Sequence, residues 1–217
     1  MSTLASTIIG KAKLLVQDTT GIRWGDPEWL GWLSDGQREI CIIRPSAYSK
    51  IANVTFVAGT KQSIPADGME FIEYMRGMGV NGTTPTIAAR KVPRRLLDSQ
   101  NPGWHSATAV AAPTHYVFEP QAPKFFYVYP PSNGTTQSEI LYAAVPADVA
   151  AVGNPITLDD IYAGVLIDYM LYRGYLKDSE FMGNAERAVL FRKAFENTMG
   201  LKAVADAGIV AADSIKG

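Results

Sequence analysis

Residues 26–45, DPEWLGWLSDGQREICIIRP, decide the class of fold because they contain a helix together with its end. Asp26 followed by Pro27 is typical of a helix start, with a capping side chain before a proline at the first helical position. One face of this helix is expected to carry Trp29, Leu33, Gly36, Ile40 and Ile43. Pro45 cannot continue a helix and disfavours the helical conformation at Arg44, so we expect the helix to end there.

The residues before this stretch predict a shorter helix. Ser2 and Thr3 are its candidate caps, and the break at residues 21–23 ends it. Its apolar positions recur at three- and four-residue spacing, at Leu4, Ile8, Ala12 and Leu15.

After Pro45 the apolar residues alternate with the two-residue period of strands, from about Ile51 to Pro146. Residues 51–57 and 62–64 flank a turn-like AGTK sequence, which predicts a hairpin. A meander is predicted from three later strands, separated by turns rich in proline and glycine, at residues 116–118, 125–129 and 139–142.

The C-terminal part returns to a helical period. Thr157–Asp160 resembles a capping box with aspartate in the acidic position, and an apolar stripe continues from Leu158 to Leu176. A final helix is predicted to end at Gly200. The remaining residues 201–217 are small and rich in alanine, and we interpret them as a flexible tail that orders when something binds it.

These changes of period predict an α+β fold with a helical core formed by the N- and C-terminal helices and a central β-rich excursion. The helical core comprises residues 1–50 and 147–200, the β-rich insertion residues 51–146 and the flexible tail residues 201–217. Short helices are marginal alone, so we expect the terminal helices to pack on each other.

Composition excludes several classes of protein. A net charge of −1 is not that of a protein that wraps free nucleic acid. The single cysteine and two histidines exclude a disulfide framework and a zinc site made of several thiolates, so we expect neither cofactor nor metal. Without a signal-like or membrane-spanning apolar run, we expect synthesis and folding in a reducing cytoplasm.

The residues that could carry catalysis have simpler structural interpretations. Cys41 lies between two isoleucines on a predicted helix, where a small buried residue is expected and not a nucleophile. Asp159 and Asp160 are adjacent at a predicted helix start, where carboxylates cap the helix. His105 follows Trp104 and is either a ligand or a loop residue anchored by that tryptophan, and we favour the anchored residue.

One compact basic cluster, at Arg90, Lys91, Arg94 and Arg95, is the candidate charged contact. It fits either phosphates and acidic partner surfaces or an ordinary solvated face, and both interpretations stay open here.

Several segments together resemble tailed-bacteriophage head-to-tail adaptor (connector) proteins. The N-terminal ones are GIRW at 21–24, WL at 29–30 and WLSDGQRE at 32–39. The later ones are SQNPGWH at 99–105, HYVF at 115–118, FYVYPP at 126–131, LDDIY at 158–162 and YMLYR at 169–173. No single segment is as specific as a set of metal ligands, and their order over residues 8–200 carries the resemblance.

The resemblance implies a structural virion protein and not an enzyme. It would form a ring, usually of twelve subunits, beneath the portal protein at the head–tail junction, after assembly in the host cytoplasm. DNA would pass through the lumen without sequence-specific binding, and a tail, nozzle or tail-tube protein would attach below. No membrane is involved. Alternatives are another tail-completion or tail structural protein and, less favoured, a small hydrolase using Asp159, Asp160 or His105.

Two further sets of residues are assigned to partners as hypotheses. The portal-interface candidates in the tail are Leu201, Val204, Ile209, Val210 and Ile215. The candidates for contacts with neighbouring subunits or the tail, since interfaces are rich in aromatic residues, are Tyr116, Phe118, Phe125, Tyr127 and Tyr129.

Overall fold

A computed structural model describes the backbone of residues 3–214 and the side chains of residues 3–200. It divides into two compact units: one comprises the chain up to Ala47 together with the chain from Pro146, and the other comprises Tyr48–Val145. The helices are α1 (Ala5–Leu15), α2 (Asp26–Ile43), α3 (Arg94–Gln100), α4 (Ala163–Lys177) and α5 (Asn184–Ser214). With the strands below, they confirm the predicted mixed α+β class.

Helix α2 begins one residue earlier than its sequence suggests. Its N-cap is Gly25, whose N–H donates to the Glu28 carboxylate at 3.2 Å. Asp26 is already inside the first turn and binds the Lys13 ammonium at 2.6 Å. The prediction that Asp26 caps the helix is therefore wrong, because Glu28 satisfies the free backbone donor from within the first turn.

Helix α1 buries a face that is shifted from the predicted one. Its buried residues are Ala5, Ile8, Ile9 and Ala12, whereas Leu4 and Leu15 are exposed. Leu4 is the N-cap residue, with no capping bond from its side chain, and its backbone forms a bridge with Pro155. The pairing of Leu4 explains why the helix starts only at Ala5.

The core of the helical unit contains a cluster of indole rings. Trp24 and Trp29 are fully buried, and the centroid of the Trp24 ring lies 5.3 Å from that of Trp29 and 5.6 Å from that of Trp32, both edge to face. The ring of Tyr175 on α4 packs against Trp24 at 5.7 Å in the same way. Edge-to-face packing of this kind stabilises beyond the buried area alone.

Asp18 organises the loop that carries Trp24. Its carboxylate accepts hydrogen bonds from the backbone N–H groups of Ile22, Arg23 and Trp24 at 2.8, 3.0 and 3.1 Å. Burial raises the pKa of this carboxyl, but the three backbone donors lower it more, so the pKa lies below its ordinary value. The charged carboxylate therefore holds the loop in shape.

The approach to α4 is fixed by a buried amide. Gln37 is fully buried, and its Oε1 accepts hydrogen bonds from the N–H groups of Thr157 and Leu158 at 2.8 and 3.3 Å. Asp159 then caps a short 3₁₀ turn at Asp160–Tyr162, and α4 begins only at Ala163. Helix α4 is therefore shorter than the helix predicted from Leu158, because Asp159 caps a separate 3₁₀ turn before it.

Helix α5 does not end at Gly200, as its sequence suggested. It has 31 residues and continues to Ser214, so residues 201–214 have a helical backbone. Glycine lowers helix propensity by about 1 kcal/mol, which the flanking alanine-rich sequence offsets. That residues 201–217 order only on binding stays a prediction.

The other unit contains two sheets. The first has the order β1–β7–β3 and the second the order β2–β6–β5–β4, with β4 parallel to β5 and every other pair antiparallel. The strands are β1 (Ser49–Thr55), β2 (Gly59–Ser63), β3 (Gly68–Gly77), β4 (Arg90–Lys91), β5 (His115–Phe118), β6 (Phe125–Ser132) and β7 (Gln137–Ala144).

Two predicted strand pairings are wrong. β1 and β2 do not form a hairpin, since β1 pairs with β7 and β2 with β6. The meander also stops after one pairing, because β5 pairs with β6 while β7 joins the other sheet. In both cases a short connection crosses from one sheet to the other.

The two sheets share one apolar core. Phe71 and Tyr74 of β3 and Ile140 of β7 meet Phe126 and Val128 of β6 there. The rings of Phe71 and Phe126 are stacked with their centroids 4.0 Å apart. Because side chains alternate between the two faces of a strand, the β6 side chains that do not enter this core lie on the opposite face of the four-stranded sheet.

A second apolar cluster packs on that opposite face. Leu97 of α3 and Trp104 of a 3₁₀ turn at Trp104–Ser106 bury against Val117 of β5, with Tyr127 and Tyr129 packed beside them. The Trp104 indole N–H donates to the Asp98 carboxylate at 2.9 Å. Both faces of this sheet are therefore covered by the chain itself.

We predict that Gly174→Ala destabilises the protein. A Cβ at this position of α4 would lie 2.8 Å from two ring carbons of the fully buried Trp24. Overpacking of this kind lowers the free energy of unfolding by about 1–3 kcal/mol. Gly164→Ala on the same helix is the matched control, since its added Cβ would meet nothing within 4 Å apart from its chain neighbours and its own helix backbone. Urea titration of both variants measures the difference, and equal stabilities would contradict the packing described here.

Candidate interaction surfaces

Cys41 is buried on α2, with 1% of its surface exposed. Burial raises the pKa of its thiol to about 11. A thiol nucleophile needs a lowered pKa and an accessible sulfur, and this thiol has neither. Its setting is that of a small core residue.

The two adjacent carboxylates are used in separate hydrogen bonds. Asp159 accepts from the N–H of Ile161 at 3.1 Å, and Asp160 accepts from the N–H of Thr3 at 2.9 Å. The hydrogen bonds from Thr3 lower the pKa of the Asp160 carboxyl. Each group stabilises a chain segment, and the Asp160 carboxyl does not have the raised pKa of a general acid.

The two histidines are held by neighbouring side chains. The ring of His105 stacks on Trp104 with centroids 3.6 Å apart, and its Nδ1 lies 2.9 Å from the Thr60 hydroxyl. His115 faces Tyr129 across β5 and β6, and its Nδ1 lies 2.9 Å from the Thr114 hydroxyl. The contact of His105 with Trp104 agrees with a histidine anchored by its tryptophan, and His115 is a cross-strand neighbour of Tyr129.

Among the described residues, no group of three or more His, Cys, Asp or Glu side chains is placed to hold a metal ion. Within the same part of the chain, every helix is too short or too polar to cross a bilayer.

The five aromatic candidates for subunit or tail contacts lie in different environments. Tyr116 is buried in the core between the sheets, where burial and the charge of Glu73 raise the pKa of its phenol to about 12, and Phe118 packs against that core. Tyr127 and Tyr129 pack on the outer cluster. Phe125 is 42% exposed, and the Lys61 ammonium lies 4.3 Å from its ring centroid.

The structure keeps the basic cluster together. Arg90, Lys91, Arg94 and Arg95 are all exposed. Three of them line a groove of about 480 Å³ together with Phe118 and Glu119: Lys91, Arg94 and Arg95. Arg94 Nε is 3.4 Å from a carboxylate oxygen of Asp98, one turn along α3. The groove is thus a basic surface with an apolar side.

The portal-interface candidates follow Gly200. Leu201, Val204, Ile209 and Val210 are on the helical backbone of α5, and their side chains lie outside the described ones. Ile215 lies outside the described residues altogether.

Sequence reasoning missed an exposed apolar pair between α4 and α5. Phe181 is 69% exposed and Met182 is fully exposed, and we call these two side chains the apolar tip. Their position between Asp178-Ser179-Glu180 and Gly183-Asn184 was the available signal, because turns rarely place two large apolar residues side by side.

A groove runs between α4 and α5, and sequence reasoning missed it as well. It has a volume of about 380 Å³ and is lined by Tyr172, Leu176, Ala188 and Val189, with Arg192, Lys193 and Glu196 along the α5 side. Leu176 and Val189 are about half exposed. We call it the α4–α5 groove.

The profile of one protein family, described as SU10 adaptor protein, matches residues 3–213. The chain belongs to this family. The match covers nearly the whole chain and confirms the resemblance to phage head-to-tail adaptors. A search of curated proteins finds no match. SU10 adaptor proteins are a structural phage family. This agrees with the structural roles of Cys41, Asp159 and Asp160 described above.

Proposed function

We propose that this SU10 adaptor forms a closed ring beneath the portal protein at the head–tail junction. The ring, of twelve subunits by resemblance, extends the DNA channel and gives the tail, nozzle or tail-tube protein its attachment platform. It assembles in the host cytoplasm. The observation that carries the proposal is the family match over residues 3–213.

The surfaces of the described residues support a protein that acts by contact. The candidate nucleophile and carboxylates are occupied by packing or by backbone hydrogen bonds. The exposed apolar tip, the α4–α5 groove and the basic groove instead offer surface for partners. A ring subunit needs two different surfaces of this kind, because each copy contacts one neighbour on each side.

The C-terminal segment is assigned to the portal. Met199 is the last buried side chain among those described, and the helical backbone continues for 14 residues beyond Gly200. A helix of that length extends about 21 Å at 1.5 Å per residue. The apolar residues of this segment are the ones that we assign to the portal contact.

The basic groove and Phe125 are assigned to neighbours. Phe125 of β6, with Lys61 against its ring, is the exposed member of the aromatic set and fits a contact with a subunit or the tail. The basic groove fits either DNA in the channel or an acidic surface of a neighbour. A net charge of −1 allows DNA to pass without strong retention.

Native mass spectrometry of the protein alone and mixed with the portal protein of the same phage tests the ring. We expect a stoichiometric ring of copies on the portal. A ring formed by the protein alone also supports the proposal and places the assembly trigger in this chain. Absence of association both alone and with the portal would contradict it.

Removing the side chains assigned to the portal should weaken portal binding strongly while leaving the fold intact. The test variant carries serine at the five assigned positions, Leu201, Val204, Ile209, Val210 and Ile215. The matched control carries serine at five alanines of the same segment, Ala203, Ala205, Ala207, Ala211 and Ala212. We expect the test variant to bind the portal at least about tenfold more weakly than the unmodified protein does. The control should bind much more tightly than the test variant. Equal binding by both variants, measured by interferometry, would reject the assignment.

Charge reversal at Arg94→Glu and Arg95→Glu tests the basic groove. We expect weaker ring assembly or weaker DNA retention, with the difference shrinking at high salt because exposed charges are screened. The control reverses Lys11 and Lys124, which are exposed elsewhere and give the same change in net charge. If both variants assemble rings and retain DNA like the unmodified protein, the cluster is ordinary surface.

A further inference from the structure

The apolar tip is held on a rigid turn. The N–H of Phe181 donates to the carbonyl of Asp178 at 3.1 Å, and the N–H of Asn184 donates to the carbonyl of Phe181 at 3.1 Å. The buried Asn184 side chain donates to the Asp178 carbonyl at 3.0 Å. Gly183, with φ of +83°, takes the left-handed conformation that completes the turn.

The hydrogen bonds that close this turn do not use the Phe181 or Met182 side chain, and both side chains are largely exposed. The backbone bonds that close the turn would be made whatever side chains stood at positions 181 and 182. A turn closed by its own hydrogen bonds loses little backbone conformational entropy when a partner covers Phe181 and Met182. These properties are those of an anchor that enters a pocket on another molecule.

The α4–α5 groove has the properties of the receiving surface. Its floor is Ala188, which is 2% exposed, and its walls are the half-exposed Leu176 and Val189. Both walls belong to packed helices, so the groove exists before any partner arrives. It is apolar along its length and charged only on its α5 side.

We propose that the apolar tip of one subunit inserts into the α4–α5 groove of the next copy in the ring. The inference rests on the proposed ring and names the contact that builds it. Charge favours a second copy as the occupant: Glu180 is exposed beside the tip, and Lys193 is exposed beside the groove. The groove lining carries Arg192 and Lys193 against one carboxylate, Glu196, so its net charge is opposite to that of Glu180, and pairing the two surfaces head to tail is an arrangement that can close a ring.

Serine substitution of the tip and a charge in the groove test the two sides separately. The variants are Phe181→Ser with Met182→Ser, and Val189→Asp. The matched control is Leu14→Ser with Leu15→Ser, since these adjacent leucines are 65% and 64% exposed at the end of α1. Sedimentation velocity, with and without the portal protein, measures subunit association. Thermal unfolding shows that each variant is folded.

We expect both tip and groove variants to associate at least about tenfold more weakly than the control, which associates like the unmodified protein. Glu180→Lys should also weaken association, and adding Lys193→Glu in the same chain should restore it. Tip and groove variants that assemble normally would overturn this contact and leave the ring intact. If the unmodified protein does not assemble even on the portal, the ring and this contact are both overturned.

A cross-link between separate chains gives a second test. Met182→Cys protein is mixed with Val189→Cys protein under ring-forming conditions and oxidised, while the buried Cys41 stays out of reach. A covalent dimer containing one copy of each variant supports the contact. The control mixture pairs Met182→Cys with Leu14→Cys. Equal dimer yields in the two mixtures would count against the inference.

Discussion

The Asp178 carboxylate connects segments from opposite ends of the chain within the helical unit. It accepts hydrogen bonds from Arg23 Nε at 2.8 Å and from the indole N–H of Trp24 at 3.1 Å. Trp24 is fully buried, so its N–H needs an acceptor, and this one stands at the end of α4. The carbonyl of Asp178 holds the turn that carries Phe181 and Met182. One residue therefore fixes both the aromatic core and the geometry of the surface beside it.

The sequence predicts which segments are helices and strands better than it predicts their partners. Periodicity is a local property, and it identifies the face of β1 that turns inward without naming the strand beside it. The connection between β1 and β2 passes through Phe56, which is 3% exposed in the core between the sheets. The chain crosses the core there, so two strands that are adjacent in sequence join different sheets. The predicted starts of α2 and α4 differ from the observed ones for a local reason: Glu28 accepts the Gly25 N–H, and Asp159 accepts the Ile161 N–H and so begins a separate 3₁₀ turn.

The candidate surfaces were predictable in part. The run of Arg and Lys at residues 90–95 is exposed because it lies on a two-residue edge strand and a short helix, where charged side chains reach water. The aromatic strands were harder, because a strand with aromatic residues on both faces indicates either an interface or a sheet covered on both sides. Here the other sheet covers one face, while Leu97 and Trp104 cover the second. Phe125 is exposed because it is the first residue of β6 and lies outside both apolar clusters.

This distribution bears on how copies of the chain can meet. The β-rich unit buries most of its aromatic side chains against its own two clusters, so those strands indicate a covered sheet first and an interface second. In the helical unit, by contrast, the α4–α5 turn is closed by backbone bonds and Asn184, and its two largest side chains have no part in that closure. An apolar side chain that the fold does not need at a rigid position is a better indication of a partner than an aromatic residue in a strand. Since a closed ring requires a projecting surface and a different receiving surface on every copy, the turn and the groove beside it meet that requirement with side chains left free by folding.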